Sequence, residues 1–138
     1  MVAYTKFHQT VEDWLHGVHD DSADTLKVCL TLTAPVNTNT VFANLTEISA
    51  GDGYTSTGDT TAITTNSQTT GTYTLACTDN VWTATAGTFA NFRYVTLYND
   101  TPTVPADPLI GFWDYGSTVD LGAGETFTWD QTTILTVV

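Results

Sequence analysis

The chain has 138 residues, 41% of them hydrophobic, which is enough for one domain with a buried core. It carries 15 acidic residues against three basic ones, so its net charge is -12. Binding to a phosphate backbone requires Lys and Arg, and anionic membranes attract basic segments. The charge therefore argues against a nucleic-acid or membrane partner.

Threonine is the most frequent residue, with 31 positions. Its branched Cβ suits the pleated, half-buried surface of a β-sheet. A chain that fills its polar positions with Thr rather than with Lys and Glu is typical of a strand-built structural protein.

The first predicted element is a helix over about residues 5–18. Its apolar residues recur at i, i+4, i+7, i+8 and i+11, which places them on one helical face that we expect to contact the core. The segment lacks the basic start and continuous apolar run of a signal peptide, and no run approaches the roughly 18 apolar residues of a membrane span. We therefore expect synthesis in a cytoplasm and release only by a route such as lysis. The face consists of Phe7, Val11, Trp14, Leu15 and Val18.

A cluster of metal-ligand residue types follows this helix. His16 and His19 are three residues apart, and Asp20 and Asp21 follow directly. Such a pattern could hold a transition metal or a calcium-type ion, but it contains no metallopeptidase motif. The favoured interpretation is a polar helix end with solvated acids, and we predict neither a metal site nor a cofactor.

From about residue 25 the hydrophobic period changes from helical spacing to strict alternation, which predicts strands. The run 25–33 is the clearest case. The run 41–48 ("VFANLTEI") fits a strand or a short helical turn, and the strand is favoured. Residues 50–60 predict a projecting loop. Turn signals then separate short strands, which is typical of an all-β antiparallel sandwich or barrel-like domain that spans residues 1–138. The later strands are predicted at about 61–69, 71–78, 80–86, 92–98, 108–114, 124–130 and 133–138.

The two cysteines, Cys29 and Cys77, lie in separate strand-like apolar runs. This context favours two buried free thiols, although the sequence leaves a bridge between them open. The last predicted strand, 133–138, is apolar and must pair with a strand of the same chain or of a neighbouring subunit.

No catalytic motif is present: the chain has no G-x-S-x-G, no Cys–His pattern and no phosphate-binding Gly-Lys loop. All three His residues lie before residue 20. We therefore expect the protein not to be an enzyme.

The stretch "FRYVTLYNDTPTVPADPLIGFWDYG" (92–116) contains two aromatic runs on either side of a proline-rich loop. The runs predict an antiparallel pair with both faces covered. Arg93, the only arginine, would form an ion pair with Asp114 or Asp100. The alternative is that Trp113 and Tyr115 lie at the mouth of the sheet and stack on sugar rings.

The runs "FRYVTLYNDTP", "DPLIGFWDYG" and "LGAGETFTWD", together with the opening "FHQTVEDWLHGVHD", resemble a group of small β-rich virion structural proteins of tailed bacteriophages. The resemblance implies a capsid decoration (cement) protein, or else a tail, neck or receptor-contact component. It also implies a major capsid protein or another virion protein as partner, assembly as a symmetric oligomer, and a location in the virion after synthesis in the bacterial cytoplasm.

Six aromatic side chains are the candidate anchors of the core or of an interface. Of these, Trp129 is expected at an edge of the structure. The six are Trp14, Phe92, Tyr94, Trp113, Tyr115 and Trp129.

Overall fold

The computed structural model describes residues 4–131 and 133–138, and it has the all-β, sandwich-like architecture that the sequence predicts. Its elements are ten strands, one α-helix and one short 3-10 helix. In chain order they are β1 (Tyr4–Lys6), α1 (Gln9–Leu15), β2 (Leu26–Thr31), the 3-10 helix (Phe42–Asn44), β3 (Asp59–Thr61), β4 (Ile63–Thr69), β5 (Thr72–Cys77), β6 (Asn80–Thr83), β7 (Phe92–Asn99), β8 (Leu109–Val119), β9 (Thr126–Trp129) and β10 (Leu135–Val137).

The largest sheet has five antiparallel strands in the order β1-β8-β7-β2-β3. At its centre β7 pairs with β8, with Val95 opposite Trp113 and Thr96 opposite Phe112. This pairing confirms the prediction made from the two aromatic runs.

Two smaller antiparallel sheets, β10-β5-β4 and β6-β9, supply the second layer. Buried residues of all three sheets form one continuous core, which includes Leu30, Leu75 and Trp82. The last strand pairs within its own chain, because β10 lies beside β5 with Leu135 opposite Leu75. The sequence had left that choice open.

The opposite face of the large sheet is also covered. A second cluster of buried residues there contains Phe7, Tyr98 and Phe112, and Phe42 and Leu45 pack on it from outside. Both faces are therefore buried over most of β7 and over residues 109–113 of β8, which explains the aromatic and aliphatic residues at consecutive positions there, whereas the rest of β8 is partly or fully exposed.

Both cysteines are free and buried, as predicted. Burial raises the pKa of the Cys77 thiol to about 11 and also raises the pKa of Cys29. Because the thiolate is the reactive form, both side chains behave as apolar core residues.

The predicted short N-terminal helix forms, but it is shorter than the predicted range 5–18, and of the predicted apolar residues within it only Trp14 packs against the core. The helix spans only Gln9–Leu15, and the residues before it form β1, which pairs with β8. The buried residues of α1 are polar: Thr10 donates through its hydroxyl to the carbonyl oxygens of Leu109 and Ile110, 2.9 Å away in each case. Val11 and Leu15 consequently face outward. No helix in the described part of the chain is long and apolar enough to cross a membrane.

The strand favoured over 41–48 does not form, and the alternative, a short helical turn, is correct. A 3-10 helix forms instead, because the Asn44 side-chain oxygen accepts the backbone N–H groups of Thr40 and Val41, 3.0 and 3.2 Å away. An Asn that bonds to its own local backbone competes with strand pairing in this way.

The loop predicted to project at residues 50–60 folds back onto the protein. Tyr54 is buried, and its hydroxyl accepts the backbone N–H of Leu30 and donates to Glu47. Gly58 lies so close to the carbonyl of Val28 that any side chain at this position would overlap it. The prediction of a projecting loop is therefore wrong.

Candidate functional site

Three of the six predicted anchors are core residues. Phe92, Trp113 and Trp129 are each at most 2% exposed, and the indoles of Trp113 and Trp129 meet edge-on with 5.0 Å between ring centroids. The expected edge position of Trp129 is wrong for the side chain. Burial alternates along β9, and Trp129 shares the inward face with Phe127.

The pair proposed for sugar stacking, Trp113 and Tyr115, does not form a common surface. Tyr115 is 42% exposed and packs edge-on against Phe127, whereas Trp113 is buried. Tyr94 is half-buried, with the guanidinium of Arg93 5.4 Å from its ring centroid. The sugar-stacking alternative is therefore wrong for Trp113.

Arg93 forms the predicted ion pair with Asp114. Its Nε and one terminal nitrogen donate to the two carboxylate oxygens at 2.7 and 2.9 Å. This hydrogen bonding holds the pKa of Asp114 below its usual value. Asp100 pairs instead with Lys27, with 3.2 Å between the charged atoms. Two of the three basic side chains are therefore already paired with acids.

The segment after α1 separates the two histidines that suggested a metal site. His16 is exposed and lies 3.7 Å from Glu12, whereas His19 is 5% exposed and its Nδ1 accepts from the side-chain amide of Asn99 at 3.2 Å. The same amide donates to Asp24. Over residues 4–131 and 133–138, no group of three His, Cys, Asp or Glu side chains could hold a metal ion.

Trp14, the remaining predicted anchor, lies beside an open cleft of about 480 Å³, which we call the α1 cleft. Its Nε1 donates to the Asp21 carboxylate at 3.2–3.3 Å, and the Tyr73 hydroxyl donates to the same carboxylate at 2.7 Å. The amide of Asn66 donates to the Asp21 carbonyl at 2.9 Å. These bonds join the end of α1 to the β4–β5 hairpin. The lining residues are Trp14, Gly17, His19, Asp20, Asp21, Ser22, Asn66 and Tyr73.

Trp14 also borders a second depression of about 380 Å³, which we call the apolar groove. It lies between α1 and β10, and its aliphatic side chains are open to solvent: Leu15 is 81% exposed and Val137 is 52% exposed. The lining residues are Lys6, Val11, Trp14, Leu15, Leu135, Thr136, Val137 and Val138.

The sequence pointed to some of the residues that line the α1 cleft and the apolar groove, and it missed others. Val11 and Leu15 belong to the helical stripe that was expected to face the core, so the residues of the groove were recognised but placed on the wrong side. Tyr73 and Asn66 were missed, because they lie in a Thr-rich hairpin with no motif and approach Asp21 only through long-range folding.

Comparison with known proteins found no matching family model, no matching curated protein and no matching solved structure. The resemblance to phage virion proteins therefore remains an expectation from the residues.

Proposed function

We propose that this protein is a non-enzymatic structural component of a tailed-bacteriophage particle that decorates and stabilises the assembled head by binding the major capsid protein. The observation that carries this proposal is the apolar groove. Its aliphatic residues are exposed together rather than scattered singly over the surface. Contiguous apolar patches on soluble proteins commonly mark surfaces that bind another protein.

The charge of the groove supports the same proposal. Its lining residues include one basic side chain, Lys6, and no acidic one, although the chain contains 15 acids. A partner can therefore approach here without burying an unpaired side-chain carboxylate, which would be costly. Elsewhere the negative surface opposes non-specific association.

The backbone of β10 adds a second means of binding. In the described part of the chain β10 has one hydrogen-bonded neighbour, β5, and so lies at an edge of its three-stranded sheet. An edge strand offers N–H and C=O groups to an added strand. A partner segment could combine strand pairing with apolar contacts to Leu15 and Val137. This combination suits a cement protein, which binds only where the lattice presents the matching segment.

The test is binding to heads of the phage that encodes the chain after they have been stripped of it. The groove variant is Leu15→Gln with Val137→Gln. Burial of a Leu or Val side chain contributes about 1.5–3 kcal/mol, so we expect this variant to bind heads at least about tenfold more weakly than the unmodified protein. Its urea unfolding midpoint should be unchanged, because both side chains are largely exposed.

The chain offers a closely matched control outside the groove. Val104→Gln with Val36→Gln changes two side chains that are 89% and 55% exposed, close to the 81% and 52% of Leu15 and Val137. This control should bind heads normally. Equal weakening of the two double variants would contradict the proposal. If the protein bound tails or necks but not heads, we would assign it to that part of the particle instead.

A further inference from the structure

The α1 cleft combines negative charge with aromatic walls. Asp20 and Asp21 line it together with the rings of Trp14 and Tyr73, and no Lys or Arg is among the lining residues. An aromatic face attracts a cation through its quadrupole, and a nearby carboxylate attracts it through charge. The cleft is therefore suited to a positively charged group.

Hydrogen bonding within the cleft leaves mainly acceptors unfilled. The side-chain donors of Trp14 and Tyr73 are both directed at Asp21. Ser22 donates through its backbone N–H and its hydroxyl to Oδ1 of Asp20. Oδ2 of Asp20 accepts no hydrogen bond from any described residue. An occupant must consequently bring donors, and a guanidinium brings five of them in a planar fork.

His19 forms the inner wall of the cleft and contributes no positive charge. Its Nδ1 accepts a hydrogen bond from Asn99, so the ring carries its proton on Nε2 and is neutral. This buried Nε2 has no hydrogen-bond partner among the described residues. Because this atom is shielded from solvent, it offers an occupant of the cleft no hydrogen-bond donor.

Trp14 makes the cleft continuous with the apolar groove, because its side chain lines both. We propose that the α1 cleft binds the guanidinium of an arginine on the protein partner whose apolar segment occupies the groove. Arginine fits better than lysine, because its planar group stacks on aromatic rings and pairs with carboxylates in a fork. This inference rests on the proposed function only in taking the partner to be a protein.

The test uses the full chain and small probes, with no phage particle present. The probe is N-acetyl-arginine N-methylamide, and its neutral counterpart is the corresponding citrulline compound, which has nearly the same shape. Trp14 is a selective reporter, because the other three tryptophans are each at most 2% exposed. We expect the arginine probe to change Trp14 fluorescence and its indole N–H resonance, with binding at least about fivefold tighter than for citrulline at low salt.

Two variants and a control test the assignment of the carboxylates. Asp20→Asn removes a charge from an exposed residue whose carboxylate, among the described residues, accepts hydrogen bonds from Ser22 of the same loop. Asp21→Asn removes the charge shared by both rings. Each should weaken arginine binding at least about threefold, because each halves the carboxylate charge of the lining. Asp79→Asn, at an exposed position outside the cleft, should leave binding unchanged.

Equal affinity for the arginine and citrulline probes would overturn the proposal. An unchanged affinity of Asp20→Asn for the arginine probe would also overturn it. Two further probes separate other sources of the same signal: tighter binding of spermidine would assign the cleft to a free polyamine, and a response to lactose alone would assign it to a sugar. If the arginine probe does not bind but the protein binds heads normally, the proposal for the α1 cleft is rejected and the proposal for the apolar groove stands. If the protein binds the arginine probe but does not bind heads, the proposed partner in the head is rejected instead.

Discussion

Trp14 and Tyr73 donate hydrogen bonds to the same carboxylate, that of Asp21, although they lie on different elements 59 positions apart in the chain. Through this carboxylate, the end of α1 is joined to the β4–β5 hairpin. The contact fixes the ring of Trp14 between the α1 cleft and the apolar groove. Both proposed contacts with a partner therefore depend on the position of one indole.

Removal of the Tyr73 hydroxyl should loosen this junction. We expect Tyr73→Phe to lower the free energy of unfolding by about 1 kcal/mol, because a hydrogen bond to a half-buried carboxylate is lost. Urea unfolding followed by fluorescence measures the change. Tyr115→Phe alters a ring that is 42% exposed and should have little effect. If the two variants were equally stable, the bond from Tyr73 to Asp21 would contribute nothing.

His19 should make stability depend on pH. Burial lowers the pKa of His19 below its usual value, and Asp13, Asp21 and Asp24 only partly oppose this shift. The unfolded chain therefore takes up a proton at this site near pH 6.5, before the folded chain does. Stability should be highest above about pH 6.5 and should decrease as the pH falls towards the folded-state pKa.

A substitution of the nearby His16 provides the control for this pH dependence. His19→Gln should remove the decrease in the urea midpoint between about pH 6.5 and pH 5, whereas His16→Gln should retain it, because His16 is exposed. Persistence of the full decrease in His19→Gln would show that another group causes it.

Trp113 and Tyr115 should differ sharply when truncated. Trp113→Ala removes a fully buried ring from the core and should cost about 3–5 kcal/mol of stability, whereas Tyr115→Ala should cost about 1 kcal/mol. Unfolding in urea measures both. If Trp113→Ala caused only a small loss of stability, the placement of Trp113 in the core would be contradicted and a role as a surface anchor would be supported.

The sequence predicted β2 and the central pair β7–β8 of the large sheet, because β2 alternates strictly and the two aromatic runs flank a proline-rich loop. It did not predict β1, which overlaps the expected helix, or β3, which begins in the expected loop. It failed for α1, because helical periodicity shows which residues share a face but not which face is buried. Thr10 decides the orientation by donating to the backbone of β8. The α1 cleft could not be predicted, because Asp21 meets Tyr73 only after the hairpin folds across the chain.

We propose that this protein binds an assembled phage head through a fixed site. The most direct measurement is sedimentation velocity of the untagged protein, alone and then mixed with heads stripped of it. We predict co-sedimentation that saturates at a fixed ratio to the capsid subunit. A protein that sediments unchanged in the presence of heads, at concentrations well above those at which decoration should saturate, would contradict the claim.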